Sequence, residues 1–242
     1  MRIIFIRHGD PDYKIDSLTK KGWREAELLS QRVIKWKVDE FYCSPLGRAK
    51  DTASCTLKKI NRTATEHHFL REFEGHITNP STGSDHICWD LMPEYWTERE
   101  LLYDKDLWAT DEIMLESSNN INDEWNMVCS GIDGILAEHG YIREGRYYKV
   151  EENAEKDKTI VIFCHFGVTM VMMAHLLGIS ATVLLHGLFL PPTSVTILNT
   201  EERIKNKAYF RSQVIGDVTH LHMGNEKISD SGYFSKLLQE TF

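Results

Sequence analysis

Hydrophobic residues fall into short continuous runs, each followed by a polar turn and then by apolar positions at helical spacing. Residues 2–7 form one such run, closed by His8-Gly9. A polar loop follows over 10–17. Thr19 is placed to cap a helix on which Trp23, Ala26, Leu29 and Val33 share a face. Residues 40–43 predict a second strand, ended by Ser44-Pro45, and Ala49, Ala53 and Leu57 line the helix behind it. Phe69-Leu70 predict the end of a third, weaker strand. Residues 159–164 are the clearest strand and 168–177 the helix after it; 194–198 and 208–215 are later strands. Strands that are apolar throughout are buried on both faces. Alternating with helices, they predict an α/β fold: a three-layer α/β/α sandwich with a mostly parallel central sheet.

Two stretches break this rhythm. Residues 76–130 hold Trp89, Trp96, Trp108 and Trp125, many acids and a polar stretch at 117–122. They predict a largely helical insertion that covers one end of the sheet and shapes a pocket there. Its tryptophans are expected in core or interface, not as a nucleotide-stacking platform. Residues 143–158 are charged and read as a surface loop, and the polar tail after Gly224 reads as peripheral. The whole chain, 1–242, reads as one domain. A chain of 242 residues buries roughly 70–75% of its unfolded surface and needs no covalent staple.

Cysteine usage agrees. The five cysteines, Cys43, Cys55, Cys88, Cys129 and Cys164, are odd in number and form no CxxC pair. Reduced thiols and a cytoplasmic location are the expectation. Residues 160–179 are nearly long enough to span a membrane, but His165, Thr169 and His175 interrupt them. A strand and a buried helix fit that segment better. The apolar run at 3–6 is too short for a signal peptide. With 28 basic and 36 acidic residues, the net charge of −8 argues against a general nucleic-acid binder. It does not exclude a small anion at a local site.

Such a site is written into the strand ends. Residues 2–7 end in Arg7-His8-Gly9 and residues 159–164 in His165-Phe166-Gly167. In open α/β sheets ligands bind at the carboxyl ends of the strands, so two histidines are delivered to that edge. The glycines beside them permit close backbone approach. A third strand end, Ser44-Pro45-Leu46-Gly47-Arg48, puts an arginine in the first turn of a helix, where anions are favoured. Spacing alone thus indicates an anion site of Arg7, Arg48 and two histidines, with the reaction open. Cys164, adjacent to His165, points to the opposite face and reads as core. His67-His68, His175 and His186 read as structural, and Ser44 as a turn residue or a neighbour of the anion. No metal-ligand spacing appears.

The ordered set of motifs resembles the histidine phosphatase superfamily, also called phosphoglycerate mutase-like. Arg7-His8-Gly9 is similar to its RHG signature. Leu18-Thr19 with Gly22 and Glu25-Ala26, the run from Tyr42 to Ala49 with Thr52-Ala53, Leu70-Arg71-Glu72, Cys164 to Gly167, and Asp217 to Leu221 match further segments in the family's order. The resemblance implies a phosphoglycerate mutase-like fold and His8 as nucleophile. It implies phosphoryl binding by Arg7, Gly9, Arg48 and His165, and Glu72 as proton donor with Glu74 as the fallback. It implies no metal and no cofactor. The loop Asp10-Pro11-Asp12-Tyr13 departs from the mutases, and its two carboxylates disfavour a doubly anionic substrate. The expected function is therefore hydrolysis of a small phosphomonoester through a phosphohistidine, acting on a phosphorylated metabolite. A phosphomutase and a non-catalytic phosphate-binding regulatory module are the alternatives. A homodimer is left open.

Overall fold

A computed structural model of the chain describes residues 1–116 and 120–239. Residues 117–119, part of the polar stretch noted above, lie outside the described residues. Eight strands form the central sheet: β1 (Arg2–Arg7), β2 (Glu40–Cys43), β3 (Thr65–Glu66), β4 (Tyr141–Glu144), β5 (Tyr147–Val150), β6 (Thr159–Cys164), β7 (Val195–Ile204) and β8 (Lys207–Asp217). Their spatial order is β3-β2-β6-β1-β7-β8-β5-β4. The half that follows the strand–helix rhythm, β3-β2-β6-β1, is parallel throughout. Beyond β1 the sheet continues antiparallel.

Side-chain alternation divides the parallel strands between two cores. Ile4 and Ile6 of β1, Phe41 and Cys43 of β2, and Val161 and Phe163 of β6 face one side. There they meet Leu29 and Val33 of α1 (Lys20–Val33) and Ala49 and Ala53 of α2 (Gly47–Ile60). Ile3, Phe5, Tyr42, Ile160, Ile162 and Cys164 face the other. That side is covered by α3 (Ile121–Glu138), α4 (Phe166–Leu177) and α5 (Ala181–Gly187). The result is the expected three layers.

Local chemistry fixes the helix ends. Thr19 caps α1, its Oγ1 accepting from the Gly22 amide at 3.1 Å. α4 stops at Gly178, which takes the left-handed conformation that ends many helices. The long apolar run at 160–179 is thus strand, turn and helix; among the described residues no helix is long and apolar enough to cross a membrane.

Three expectations are corrected. The third strand is Thr65–Glu66, and Phe69-Leu70 lie in a 3-10 turn, buried against α3. Residues 143–158 are not simply a loop: β4 and β5 form a hairpin whose Tyr141 and Tyr148 are buried. The tail is not peripheral, since Ser229 is 4% exposed and packs against the first strand's loop. The stretch at 76–130 opens on a two-stranded hairpin (His76–Thr78, Asp85–Ile87), passes through short helical turns and enters α3, which continues to Glu138. Trp108 and Trp125 from this stretch are core, their rings edge to face at 5.5 Å. Trp89 and Trp96 are only partly buried.

Because Trp108 is fully buried between Phe73 and Trp125, Trp108→Ala is expected to cost about 3–5 kcal/mol. Chemical denaturation should show the loss in one transition; a separate early transition would show that this stretch folds on its own.

Candidate active site

Strand register builds the site. Arg7 of β1 lies opposite Cys164 of β6, so the next residues, His8 and His165, leave the sheet level with each other. Cys43 pairs with Phe163 on the other flank, which brings Ser44 to the same edge. The His8 and His165 rings are 5.0 Å apart. His8, His165, Arg7 and Ser44 are all buried.

The tautomer of His8 follows from its contacts. Its Nδ1 lies 2.8 Å from the Gly9 carbonyl. A carbonyl only accepts, so Nδ1 carries the proton and Nε2 keeps a free lone pair. Burial holds the His8 pKa well below its ordinary value, and the charge of Arg7, then of Arg48, pushes the same way. Neutral His8 with an unprotonated Nε2 is a nucleophile.

His165 is held neutral by the same causes: burial first, then His8, Arg48 and Arg7. Its Nε2 lies 2.7 Å from Ser44 Oγ, which itself accepts the Leu46 amide. We assign the Ser44 hydroxyl proton to that bond, which leaves Nδ1–H of His165 as a donor. Nδ1 has no partner, and neither has the Nε of Arg7 or of Arg48. Three buried N–H groups without acceptors on the edge of one sheet call for an anion.

Both arginines are oriented by the protein. Arg7 donates to the carbonyls of Leu190 at 2.6 Å and Ser231 at 3.1 Å. Arg48 Nη1 donates to Asp16 Oδ1 at 2.6 Å, and the Gly47 amide donates to Asp16 Oδ2 at 2.6 Å. Burial raises the Asp16 pKa, but the Gly47 amide and Arg48 outweigh it and hold the carboxyl below its ordinary value.

The two candidate acids separate clearly. Burial raises the pKa of Glu72, opposed by the amides of Phe73 and Val168 and by Arg7 and Arg48. Its Oε1 accepts from Phe73 N at 2.9 Å and from Val168 N, in the first turn of α4, at 3.1 Å. Glu74 is exposed and pairs with Arg71 at 3.5 Å, so it does not join the cluster. The segment that carries both glutamates is not a strand.

The glycines serve packing. Gly9 donates its amide to Thr52 Oγ1 at 3.0 Å, and a Cβ on Gly9 would stand 2.8 Å from the Gly22 carbonyl. A Cβ on Gly167 would stand 2.9 Å from both Glu72 Oε1 and Trp89. Close approach is needed, but in this structure it is to α1 and to Glu72. Cys164 is core as expected, with burial pushing its thiol up to about 12. His67 packs between Tyr42 and Phe69, and His175 pairs with Asp133 at 2.9 Å.

Residues 3–86 match the family model described as the histidine phosphatase superfamily, branch 1. Over that stretch the chain is similar to this superfamily. No curated protein matches the sequence. Solved structures share the fold across most of the chain. A phosphoserine phosphatase mutant from Entamoeba histolytica, in complex with phosphoserine, is 20% identical with a TM-score of 0.59. The alignment covers 91% of this chain and 98% of that one. A mycobacterial glucosyl-3-phosphoglycerate phosphatase with VO3 is 19% identical at a TM-score of 0.58, covering 89% of this chain and 98% of its own. At these identities the likeness shows a shared fold.

Three features of this chain were not read from the sequence. Thr193 is a β-branched residue at φ 60, a backbone position that is costly without support. Its amide donates to the carbonyls of both Arg7 and His8 at 3.1 Å, and His220 Nε2 lies 3.1 Å from its hydroxyl. Pro191-Pro192 before it was the only hint of an unusual turn. Ser229 binds Asp10 Oδ1 at 2.5 Å, tying the tail to the loop after His8. Glu25, fully buried in α1, accepts the Asp10 amide at 2.8 Å.

Burial pushes Glu25 up to about 7, against an ordinary 4.5. The folded state then holds a proton that the unfolded chain releases. Stability is expected to fall as pH rises from about 4.5 to about 7 and then to level off, a loss of roughly 3 kcal/mol. Thermal melts of the wild type and Glu25→Gln across pH 4–8 check this. The difference between the two should vary with pH in that window; a constant difference would refute it. A second expectation concerns Gly22, where a Cβ would stand 2.2 Å from the Asp10 carbonyl. Gly22→Ala should cost about 1–3 kcal/mol, read by urea denaturation.

Proposed function

We propose that this protein hydrolyses a small phosphomonoester through a phosphohistidine on His8. The observation that carries the reading is the His8 Nδ1–Gly9 carbonyl bond, which aims a neutral Nε2 lone pair into a cluster of unpaired N–H donors. Nε2 attacks phosphorus, and the bond from phosphorus to the leaving oxygen breaks. Glu72, whose proton burial helps to retain, gives that proton to the leaving oxygen. The transferring phosphoryl group spreads negative charge over its oxygens, which Arg7, Arg48 and Nδ1–H of His165 stabilise. Water then attacks the phosphohistidine, the N–P bond breaks, and the Glu72 carboxylate takes the water proton. Phosphate leaves and both groups are restored.

Structural relatives whose names describe phosphatases acting on phosphoserine and on a sugar phosphoglycerate support a phosphorylated metabolite as substrate. We place the enzyme in the cytoplasm, where its five unpaired cysteines stay reduced.

Release of 4-nitrophenol from its phosphate ester, with chelator present, tests the reading. His8→Ala should lose more than about 10^3-fold in rate, and labelled substrate should leave its phosphoryl group on the wild type alone. Equal turnover by His8→Ala would end the proposal. The acid is tested by leaving group. Glu72→Gln should lower hydrolysis of an alkyl phosphate by about 10^2–10^4-fold and change 4-nitrophenyl phosphate far less, since nitrophenolate leaves without a proton.

The pH profile follows from the same groups. A raised Glu72 pKa keeps the acid protonated at low pH, and a lowered His8 pKa keeps the nucleophile free there. Turnover of an alkyl phosphate should therefore decline on the alkaline side, and Glu72→Gln should flatten that limb.

A further inference from the structure

A cavity of 760 Å3 opens beside the phosphoryl site, between the stretch after Glu72, the loop before β7 and the C-terminal tail. Its inner wall is aromatic. Phe166 and Phe189 lie over the Arg7 guanidinium at 5.7 and 5.8 Å. Trp89 meets Phe166 edge on at 6.2 Å, and Tyr233 packs on Phe189 at 4.5 Å. Further out, Trp96 stacks on His186 at 4.6 Å. Because Phe166 and Phe189 contact Arg7 directly, a phosphoryl group at His8 would project its organic part along this wall.

The charges of the lining matter as much as its rings. Among the described residues it contains no lysine and no arginine. The one carboxyl among those described residues is Asp90, partly buried and 3.8 Å from His86. Burial raises the Asp90 carboxyl and His86 opposes the rise. Burial keeps His186 on the neutral side. A carboxylate carried on the substrate would find no lysine or arginine among the described lining residues and would face Asp90, whereas a flat neutral group would bury its faces against Trp89, Trp96 and Phe189.

Building on the phosphatase reading, we infer that the substrate is the phosphomonoester of an uncharged aromatic or apolar alcohol, and not a phosphorylated carboxylic acid. This differs from the acidic compounds named for the structural relatives.

Ligands with a common phosphoryl head and different tails isolate the cavity. Phenylphosphonate, phosphonoacetate and inorganic phosphate would be titrated by calorimetry and as inhibitors of turnover. Phenylphosphonate should bind at least about tenfold more tightly than phosphonoacetate. Trp96→Ala, remote from His8, should weaken phenylphosphonate about tenfold and leave inorganic phosphate within about twofold. Asp90→Lys should tighten phosphonoacetate, a gain that a folding defect cannot imitate. Equal or tighter wild-type binding of phosphonoacetate overturns the substrate inference and leaves the phosphatase reading standing. No binding of inorganic phosphate and no turnover of any ester overturns the phosphatase reading, and the inference with it.

Discussion

The site depends on the pairing of β1 with β6. Because Arg7 lies opposite Cys164, the two strands end level, and His8 and His165 meet across 5.0 Å. A one-residue slip would send alternate side chains to the wrong core and separate the histidines. The same pairing buries Arg7 beside His8. A guanidinium keeps its charge in a protein interior, so the cost of crowded positive charge falls on the imidazoles, which stay neutral. Burial and register together therefore prepare the nucleophile.

Carbonyls do much of the positioning around this pair. Arg7 is gripped by the backbone of Leu190 and Ser231. The carbonyls of Arg7 and His8 are in turn collected by one amide, that of Thr193. Thr193 sits in the left-handed region to do this, and its hydroxyl contact with buried His220 supports the turn. A strained residue held from two sides keeps the end of β1 from fraying at the point where His8 must stay still.

Three strands of the parallel half were readable because they carry apolar runs with helices behind them; the fourth, Thr65–Glu66, is polar and exposed and was not. Arg2–Arg7, Glu40–Cys43 and Thr159–Cys164 were bounded to the residue. The antiparallel half was less legible. Residues 143–158 are charged, and the hairpin of β4 and β5 joins the sheet through β5 pairing with β8, a partner nearly sixty residues away in sequence. The tail carries no period at all; contacts such as Ser229 donating to Asp10, Arg7 donating to the Ser231 carbonyl and Tyr233 packing on Phe189 give it a place. His8, Arg7, Arg48 and His165 were found as strand-end residues. Glu72 was already preferred to Glu74 from the sequence; the amide of Val168, ninety-six residues on, adds a bond no sequence pattern shows.

The acids near His8 look different once their partners are known. Asp10 and Asp12 follow the RHG segment and were expected to repel a doubly anionic substrate. In the fold Asp10 accepts from Thr19 Oγ1 at 2.6 Å and from Ser229, and Asp12 accepts the Lys14 amide at 3.1 Å. Asp16 is held by the Gly47 amide and Arg48, and Glu25 by the Asp10 amide. Each carboxylate is committed to donors that hold the loop, so its field at the phosphoryl site is partly neutralised. The discrimination once assigned to that loop belongs instead to the cavity wall. There the described lining residues offer an acidic tail no lysine or arginine, and aromatic surface decides what can follow the phosphate in.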